Sequence, residues 1–286
     1  MIQELHKEGY SINKVCKVLS FNRSKFYRAL KGKSSKGAKE KKEKLADIEL
    51  KSKIIEICSN HPSWGSRRVK AWLEKREFLQ VSRKKVQRLM REENLTLKPK
   101  KKPASRGKAR KKPVPTRPNQ WWGIDMTKFI VENIGWVYLV CIIDWFSRKV
   151  VGFAVDVHCR TELWIRALEE AVNNEFPNGS REQNLFLMSD NGSQPTSKKF
   201  MNITGLLGIQ QTFTSFNNPK GNANTERWFR TCKEDCIWIN EWNSLKETKD
   251  ALKDWIDFYN NDYVHSALNG LSPNEFLRDY YLKNVA

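Results

Sequence analysis

Apolar residues recur every three or four positions through the first third of the chain, which is the spacing of helices that bury one side. Residues 12–19 and 26–30 predict two short helices joined by a turn. This pair, within residues 1–35, is typical of a small helix-turn-helix, although a plain helical hairpin with solvated lysines fits the pattern nearly as well. The Lys-, Ser- and Gly-rich stretch at 31–44 predicts a linker.

Helical spacing resumes at Leu45 and predicts a second all-α domain over residues 36–97. Two helices close this domain. Ser66 is placed to cap one that ends near Lys75, and Ser82 is placed to cap the next. A turn between two such helices is the arrangement of a helix-turn-helix DNA-binding domain.

The second of these two helices has a basic outer face. A DNA major groove admits one α-helix, and Arg, Lys and Gln are side chains that read base edges or bind phosphates. A solvated basic face is the plain alternative, but five such residues behind a capped turn favour DNA contact. The predicted contacts are Arg83, Lys84, Gln87, Arg88 and Arg91.

A basic tail follows at residues 98–118, which contain no acidic residue and five prolines. Because proline interrupts a helix, the tail is predicted to be an extended tether. Such a tether can lie along a phosphate backbone, where counterion release favours binding without sequence preference. Its candidate DNA contacts are Lys100, Lys101, Lys102, Lys111 and Lys112.

The charge distribution also indicates a polyanionic partner. The 286 residues carry a net charge of +20, and residues 1–120 hold 35 basic and 11 acidic side chains, against 17 and 21 in residues 121–286. No apolar run approaches the ~20 residues of a membrane span, and the N-terminus does not resemble a signal peptide. We therefore expect a cytoplasmic protein with no membrane partner. The six cysteines form no CxxC pair, which favours reduced thiols over a zinc site.

The pattern changes at Trp121, where strands replace helices. Trp121–Val131 predicts one strand, and the β-branched and aromatic run from Gly135 to Val157, interrupted near Asp144–Arg148, predicts two neighbouring antiparallel strands. Further strands are predicted at 184–189 and 209–214, and helices at 161–174, 197–207, 222–239 and 248–259, the last of which closes the chain. This order predicts an α/β domain over residues 119–286, with a mixed sheet and helices on its faces.

Three carboxylates stand at special places in this domain. Asp125 lies inside an apolar strand, where an unpaired acid is costly. Asp190 follows a buried strand, and Glu226 begins a helix. Carboxylate oxygens suit Mg²⁺ or Mn²⁺, and two such ions can hold the attacking and leaving oxygens of a phosphoryl displacement. Each acid also has an ordinary explanation, as a buried ion-pair partner, a turn former and a helix N-terminal charge.

The sequence segments around these acids resemble those of a known family. The order and spacing of Asp125, Asp190 and Glu226 resemble the D,D(35)E signature of the retroviral-integrase-like DDE superfamily, since 35 residues lie between Asp190 and Glu226. The segments 189–194, 221–230 and 258–273 resemble the second-reading-frame (OrfB) transposase of bacterial insertion-sequence family three. Segments 61–69 and 86–95 resemble the helix-turn-helix that precedes the catalytic domain there.

This resemblance implies a ribonuclease H-like catalytic domain with a mixed five-stranded sheet, preceded by small helix-turn-helix domains. It implies that Asp125, Asp190 and Glu226 hold two Mg²⁺ ions, for which Mn²⁺ substitutes. One ion would activate water to cut at the 3′ end of the element, and the freed 3′-hydroxyl would then attack a phosphodiester. Arg67 and Arg68 join the predicted DNA contacts through the matched helix-turn-helix segment.

Helical spacing adds two cations next to the third acid. Arg230 and Lys233 follow Glu226 at i+4 and i+7, which places all three on one helix face. We interpret them as DNA contacts, and surface ion pairs with Glu234 or Asp235 are the alternative.

The partners implied are double-stranded DNA, further copies of this chain assembled on that DNA, and the upstream-frame product of the same element. A nucleoid-associated location follows from the DNA partner. Two other functions remain open, a DNA-binding relative that no longer cuts and a nuclease that cannot join strands.

Overall fold

The computed structural model describes residues 2–31, 35–97, 113–214 and 222–284. The chain opens with three short helices, α1 (Ile2–Lys7), α2 (Ile12–Val18) and α3 (Arg23–Lys31). The sequence predicted only the last two, because α1 spans fewer than two full turns and shows little periodicity.

The helix-turn-helix domain is built from α4 (Ser35–Asn60), α5 (Ser66–Lys75) and α6 (Arg83–Glu92). The linker predicted at 31–44 is wrong from residue 35 onwards, because Ala, Lys and Glu are strong helix formers and outweigh the small residues there. The predicted cap of α6 is confirmed, since Ser82 Oγ accepts the N–H of Lys85 at 3.2 Å. The predicted cap of α5 is wrong, since that helix begins at Ser66 itself.

The α/β domain predicted over residues 119–286, which we call the catalytic domain after the resemblance described above, contains a mixed five-stranded sheet, as predicted. Its strands lie in the order β3-β2-β1-β4-β5. The first three are antiparallel neighbours, and β4 and β5 run parallel to β1. This is the ribonuclease H-like arrangement. The strands are β1 (Trp121–Val131), β2 (Gly135–Asp144), β3 (Val150–Asp156), β4 (Phe186–Ser189) and β5 (Gln210–Phe213).

Helices cover both faces of the sheet. One face packs against α7 (Thr161–Glu175) and α8 (Lys198–Leu206). The other packs against α9 (Ala223–Cys232), which continues into a π-helical turn, and against α10 (Leu245–Asn261). A further helix, α11 (Pro273–Asn284), ends the described chain, so the prediction that α10 closes it is wrong. Only one of its residues is buried, which explains its weak periodicity.

Strand alternation decides which face each side chain occupies. On β2, Leu139 and Cys141 point to the α9 side and Val140 and Ile142 to the α7 side. Asp125 pairs with Cys141 across the antiparallel ladder. Because directly paired residues share a face, Asp125 points to the side that α9 covers.

The helix-turn-helix domain packs against the catalytic domain through a continuous hydrophobic cluster. The His61 ring stacks between Trp64 and Phe258, with ring centroids 3.9 and 5.2 Å away. At the edge of this contact the Arg76 guanidinium binds Glu275 Oε1 at 2.6 Å and Oε2 at 3.1 Å. The two domains therefore bury apolar surface against each other.

None of the described helices is long and apolar enough to cross a bilayer. The six cysteines are free thiols.

Candidate active site

Asp125 and Asp190 come together because β1 and β4 are parallel neighbours. The last registered pair joins Gly123 to Met188, and the two acids stand two residues further along each strand. Asp190 lies just past the end of β4, is exposed, and accepts the Gly192 N–H at 3.1 Å through Oδ1. Ligands commonly bind at the carboxyl ends of parallel strands, which is where this pair lies.

Glu226 reaches the same place because the start of α9 docks directly on β1. Any side chain at Gly123 would collide with Thr225 Oγ1 and Asn222 Oδ1, so only glycine permits this approach. The Asn222 amide donates to the Ile124 carbonyl at 3.0 Å, and the Thr225 hydroxyl donates to Asn222 Oδ1 at 2.5 Å. These bonds fix Glu226 beside Asp125, the strand residue that follows Ile124.

The charges of the other two acids act on Asp125. Burial raises the pKa of Asp125 to about 7, and the negative charges of Asp190 and Glu226 add to that rise. The Met126 N–H, which donates to Asp125 Oδ1 at 2.8 Å, opposes it only in part. Partial burial also raises the pKa of Glu226. Repulsion of this kind on Asp125 is expected where further carboxylates stand near it without a cation.

Their donor chemistry fits a divalent cation, although the side chains are not drawn into a closed cluster. Within the described ranges, no three His, Cys, Asp or Glu side chains are gathered closely enough to hold a metal ion. Asp125, Asp190 and Glu226 nevertheless supply hard oxygen donors from three separate elements. A cation beside Asp125 would offset both the burial and the repulsion that raise the pKa of its carboxyl group.

The cleft in front of Asp125 and Glu226 has a volume of about 640 Å³, and two basic side chains also line it. Arg230 and Lys233 line it, so the structure places both beside the acids, as helical spacing predicted. Arg230 Nε also donates to Glu234 at 2.9 Å, which is the ion pair that was the alternative reading. A role of these two residues in DNA binding stays a prediction.

Trp238 is a residue of this cleft that the sequence did not single out. The helix predicted at 222–239 is α-helical only to Cys232, and a π-helical turn occupies Lys233–Ile237. The turn ends with the Trp238 N–H donating to the Lys233 carbonyl at 2.8 Å. It leaves the Trp238 side chain 65% exposed at the rim of the cleft. A tryptophan directly after Ile237 was the available signal, but it does not predict exposure.

The basic face predicted for α6 is exposed to solvent. Arg88 differs from the others, because it binds Asp47 at 2.7 Å and Glu92 at 2.8 Å within the same domain. The residues of this face are Arg83, Lys84, Gln87, Arg88 and Arg91.

The structure separates the two arginines of α5. Arg67 is exposed, whereas the Arg68 guanidinium faces the catalytic domain. It lies 3.7 Å from Asp235 Oδ2 and 5.1 Å from the centroid of the Tyr263 ring. Arg68 therefore lies between the two domains and does not extend the basic surface that α6 exposes.

The tail residues predicted to bind DNA lie outside the described part of the chain. They are Lys100, Lys101, Lys102, Lys111 and Lys112.

Trp228 lies in the interior, and His265 is half-buried. Trp228 is 2% exposed and contacts Phe229, Trp255 and Tyr259, so core packing accounts for it. Burial lowers the pKa of His265 to about 3, and the charges of nearby arginines lower it further. This imidazole is therefore neutral at physiological pH.

Family models match the chain in three places. Two integrase core domain models match residues 115–219 and 207–273, and an HTH-like domain model matches residues 44–103. The fold and the matched core define the class as a protein with an integrase core domain.

Known relatives give the family. "Putative transposase InsK for insertion sequence element IS150" from Escherichia coli K12 is 30% identical over 98% of both chains. The "Insertion element IS600 uncharacterized 31 kDa protein" from Shigella sonnei is 26% identical over 93% of this chain and 98% of that one. The chain belongs to the second-reading-frame transposases of insertion-sequence family three.

Among solved structures, a chain of the simian T-cell lymphotropic virus intasome in complex with PP2A regulatory subunit B56 gamma matches with a TM-score of 0.48. It is 17% identical and covers 75% of this chain and 70% of that one.

Proposed function

We propose that this chain cuts the 3′ ends of an insertion sequence and joins them to target DNA in a reaction that depends on a divalent metal. The observation that supports the proposal is that Asp190 and Glu226 lie near enough to Asp125 for their charges to add to the burial that raises its pKa to about 7. A buried carboxylate with two further carboxylates near it is suited to binding cations, and the family membership supplies the reaction class.

The three acids would hold two Mg²⁺ ions. When bound, such ions stabilise negative charge on the attacking and leaving oxygens of an in-line phosphoryl displacement. The protein supplies the frame. Asn222 and Thr225 lock α9 to β1, so Glu226 stays beside Asp125. The Gly192 N–H orients the carboxylate of Asp190.

DNA would be bound by several basic surfaces, each with a different task. The face formed by Arg83, Lys84, Gln87 and Arg91 would lie in or along a major groove of the element end. The tail lysines would follow the backbone. Arg230 and Lys233 would bind phosphates next to the reacting one, with Arg230 exchanging Glu234 for a phosphate.

Trp238 would stack on a base near the cut. Its indole is exposed at the rim of the cleft, and stacking on a base contributes about 1–3 kcal/mol without sequence preference. π-helical turns recur at functional sites, which agrees with this placement.

Cutting and joining two element ends together favours an assembly of more than one copy of the chain. We therefore propose that several copies assemble on DNA, and that the upstream-frame product is a further partner.

The test is a strand-transfer assay with labelled oligonucleotides from candidate element ends, a plasmid target and Mg²⁺ or Mn²⁺. Wild type should cut at the 3′ end and transfer the strand, and Asp190→Asn should do neither while binding the same DNA equally well. Asp279→Asn on α11 is the matched control, since it removes an exposed carboxylate elsewhere and should leave both steps unchanged.

Each contrary outcome has a meaning. Cutting without transfer would make the protein a nuclease. Binding without cutting in wild type, across both metals, would make it a silent DNA-binding relative. Equal activity of wild type and Asp190→Asn would remove the carboxylates from the mechanism.

A further inference from the structure

A second cavity of about 530 Å³ lies at the junction of α9, α10 and the helix-turn-helix domain. Three arginines from distant segments line it, and the proposed chemistry uses none of them there. They are Arg68 of α5, Arg148 of the turn between β2 and β3, and Arg227 of α9. Such a concentration of guanidinium groups in one cavity is expected where an anion binds.

Arg148 is held towards this cavity by a buried turn. The Asp144 carboxylate accepts the N–H groups of Asn119 at 3.2 Å and Ser147 at 2.9 Å, and the Arg148 N–H donates to the Asp144 carbonyl at 2.9 Å. Arg148 itself has φ +67°, a left-handed conformation that costs energy for a residue with a side chain. Burial lowers its pKa, and Asp144 opposes that shift through space. Within the described residues, its guanidinium has no hydrogen-bonded or ion-paired partner.

The other two arginines retain donors for a ligand. Arg68 lies 3.7 Å from Asp235, beyond hydrogen-bonding distance. Tyr263 already donates to that same carboxylate at 2.7 Å. Arg227 is exposed and directly follows Glu226 along α9. Because adjacent helical residues point about 100° apart, the two side chains serve different sides of the helix.

His265 adds a buried donor to the same cavity. Its Nε2 atom is buried with no hydrogen-bond partner within the described chain. Burial and the charges of Arg68 and Arg148 keep the ring neutral. A neutral imidazole with Nε2–H can donate to an oxygen, and an unpaired buried polar atom is costly until it does so.

A continuous surface connects this cavity to the carboxylates. The groove between the helix-turn-helix domain and α9 shares Arg68 and Arg227 with the cavity. The same groove shares Arg230 and Trp238 with the cleft of Asp125. A strand whose backbone enters the cavity can therefore run along the groove to the acids.

We propose that the cavity, which we name the arginine pocket, binds a backbone phosphate of the DNA strand that reaches the active site. Arg68, Arg148 and Arg227 bind its oxygens, and His265 Nε2 donates a fourth bond. The inference rests on the proposed function in taking DNA as the substrate. Because the ligand spans α5, the β2–β3 turn and α9, DNA binding stabilises the contact between the two domains and the helix that bears Glu226.

The test measures DNA affinity of the full chain by fluorescence anisotropy, in EDTA and across a range of salt concentrations. Arg227→Gln and Arg148→Gln should each weaken binding about tenfold at low salt. Each should also reduce the slope of log K against log salt by about 0.9, the value for one lost phosphate contact. Arg278→Gln, an exposed arginine of α11, is the matched control and should change neither.

Two further variants keep the test valid if a substitution damages the fold. Arg148→Lys and Arg227→Lys retain the charge, so they should keep the salt slope while losing part of the affinity. Thermal unfolding shows which variants are folded. Should Arg148→Gln not fold, the exposed Arg227 alone decides. Slopes of Arg227→Gln equal to those of Arg278→Gln would overturn the proposal.

Free anions provide the remaining arm. Inorganic phosphate or pyrophosphate that raises the melting temperature of wild type, together with unchanged DNA slopes, would assign the pocket to a small anion and overturn the DNA assignment. Because the assay contains no divalent metal, it is independent of catalysis. A chain that fails to cut DNA can still pass this test, and a chain that cuts can fail it.

Discussion

Helix α6 in the helix-turn-helix domain and helix α9 in the catalytic domain both present basic side chains to solvent. On α6 the exposed face has only basic and amide side chains until Glu92 ends the helix. On α9 a carboxylate, Glu226, stands directly before Arg227 and one turn before Arg230. The first pattern suits binding alone. The second suits binding beside a site where cations and phosphates must both be held.

This difference shows that a role of α6 in binding can be inferred from its surface alone. The role of α9 depends on the elements against which it packs. Arg88 of α6 is held by Asp47 from α4, a contact that only positions a side chain. Glu226 of α9 matters because Asn222 and Thr225 fasten the helix to β1, where Asp125 lies. The predictions below separate the two regions.

The largest effect is expected from Asp125→Asn in the catalytic domain. Losing a carboxylate that would hold the metal should slow strand cleavage by at least about a thousandfold, since such ligation contributes several kcal/mol to the transition state. DNA affinity should remain within about twofold. A variant that cuts at a tenth of the wild-type rate or faster would contradict the role given to Asp125.

The same variant should also be more stable than wild type when no metal is present. Burial and two neighbouring carboxylates raise the pKa of Asp125 to about 7, so its ionised form destabilises the fold as pH rises from about 4 to 7. Asparagine removes that charge. In EDTA at pH 8 the melting temperature should therefore rise, and the gain should vanish near pH 4.

The second effect tests whether the two regions fold as one unit. Trp64 is 1% exposed and packs against His61 and against Tyr263 of the catalytic domain. Trp64→Ala should lower the free energy of unfolding by about 3–5 kcal/mol, as expected for a large core residue. Urea unfolding followed by tryptophan fluorescence and circular dichroism measures this loss.

The control for that prediction is Trp136→Ala on β2, where the ring is 47% exposed and lies 4.4 Å from Lys128 Nζ. Its loss should cost about 1 kcal/mol or less. Equal losses for the two variants would show that the contact between the domains is not part of the core.

The third effect belongs to α6. Replacing Lys84 and Arg91 together by Gln should weaken binding to the element end about a hundredfold and reduce the salt slope by about 1.8, the value for two lost phosphate contacts. Lys246→Gln with Lys283→Gln removes the same charge from exposed sites on α10 and α11, and should change binding far less. Cleavage at saturating enzyme should persist in both double variants.

Much of this fold could be predicted because its elements have distinct local patterns. The predicted strand Trp121–Val131 is confirmed to the residue, since its apolar and aromatic run is bounded by turn-forming positions. The prediction of a linker at 31–44 is wrong from residue 35 onwards, because composition alone cannot distinguish a helix of polar sequence from a flexible chain. The predicted helix over 222–239 is wrong after Cys232, because nothing in the local sequence distinguishes a π-helical turn from a continuing α-helix.

The functional residues also fall into those that the sequence could predict and those that it could not. The three acids could be named from the sequence, because Asp125 lies inside an apolar strand, Asp190 follows a buried strand and Glu226 begins a helix. The arginine pocket could not be predicted, because Arg68, Arg148 and Arg227 meet only after the two domains pack together. The exposure of Trp238 likewise follows from the turn that precedes it.

The smallest effect concerns His265, which links the two regions inside the arginine pocket. Burial holds its pKa near 3, the charges of Arg68 and Arg148 reinforce this, and the rings of Tyr259 and Tyr263 enclose it at 4.9 and 5.0 Å. The unfolded chain binds a proton here below about pH 6.5 and the folded chain does not. The stability that the neutral ring contributes is therefore complete above pH 6.5 and is lost as pH falls towards 3.

His265→Asn removes this titration from the protein. The difference in free energy of unfolding between wild type and variant should shift against wild type by about 1.4 kcal/mol for each pH unit below 6.5. Urea unfolding at pH 7, 6 and 5 measures it, and taking the difference cancels the contribution of the other titrating groups. A difference that stays constant over this range would mean that the folded protein can protonate His265. The ring would then face solvent or an acid, and it could not serve as the neutral donor that the arginine pocket requires.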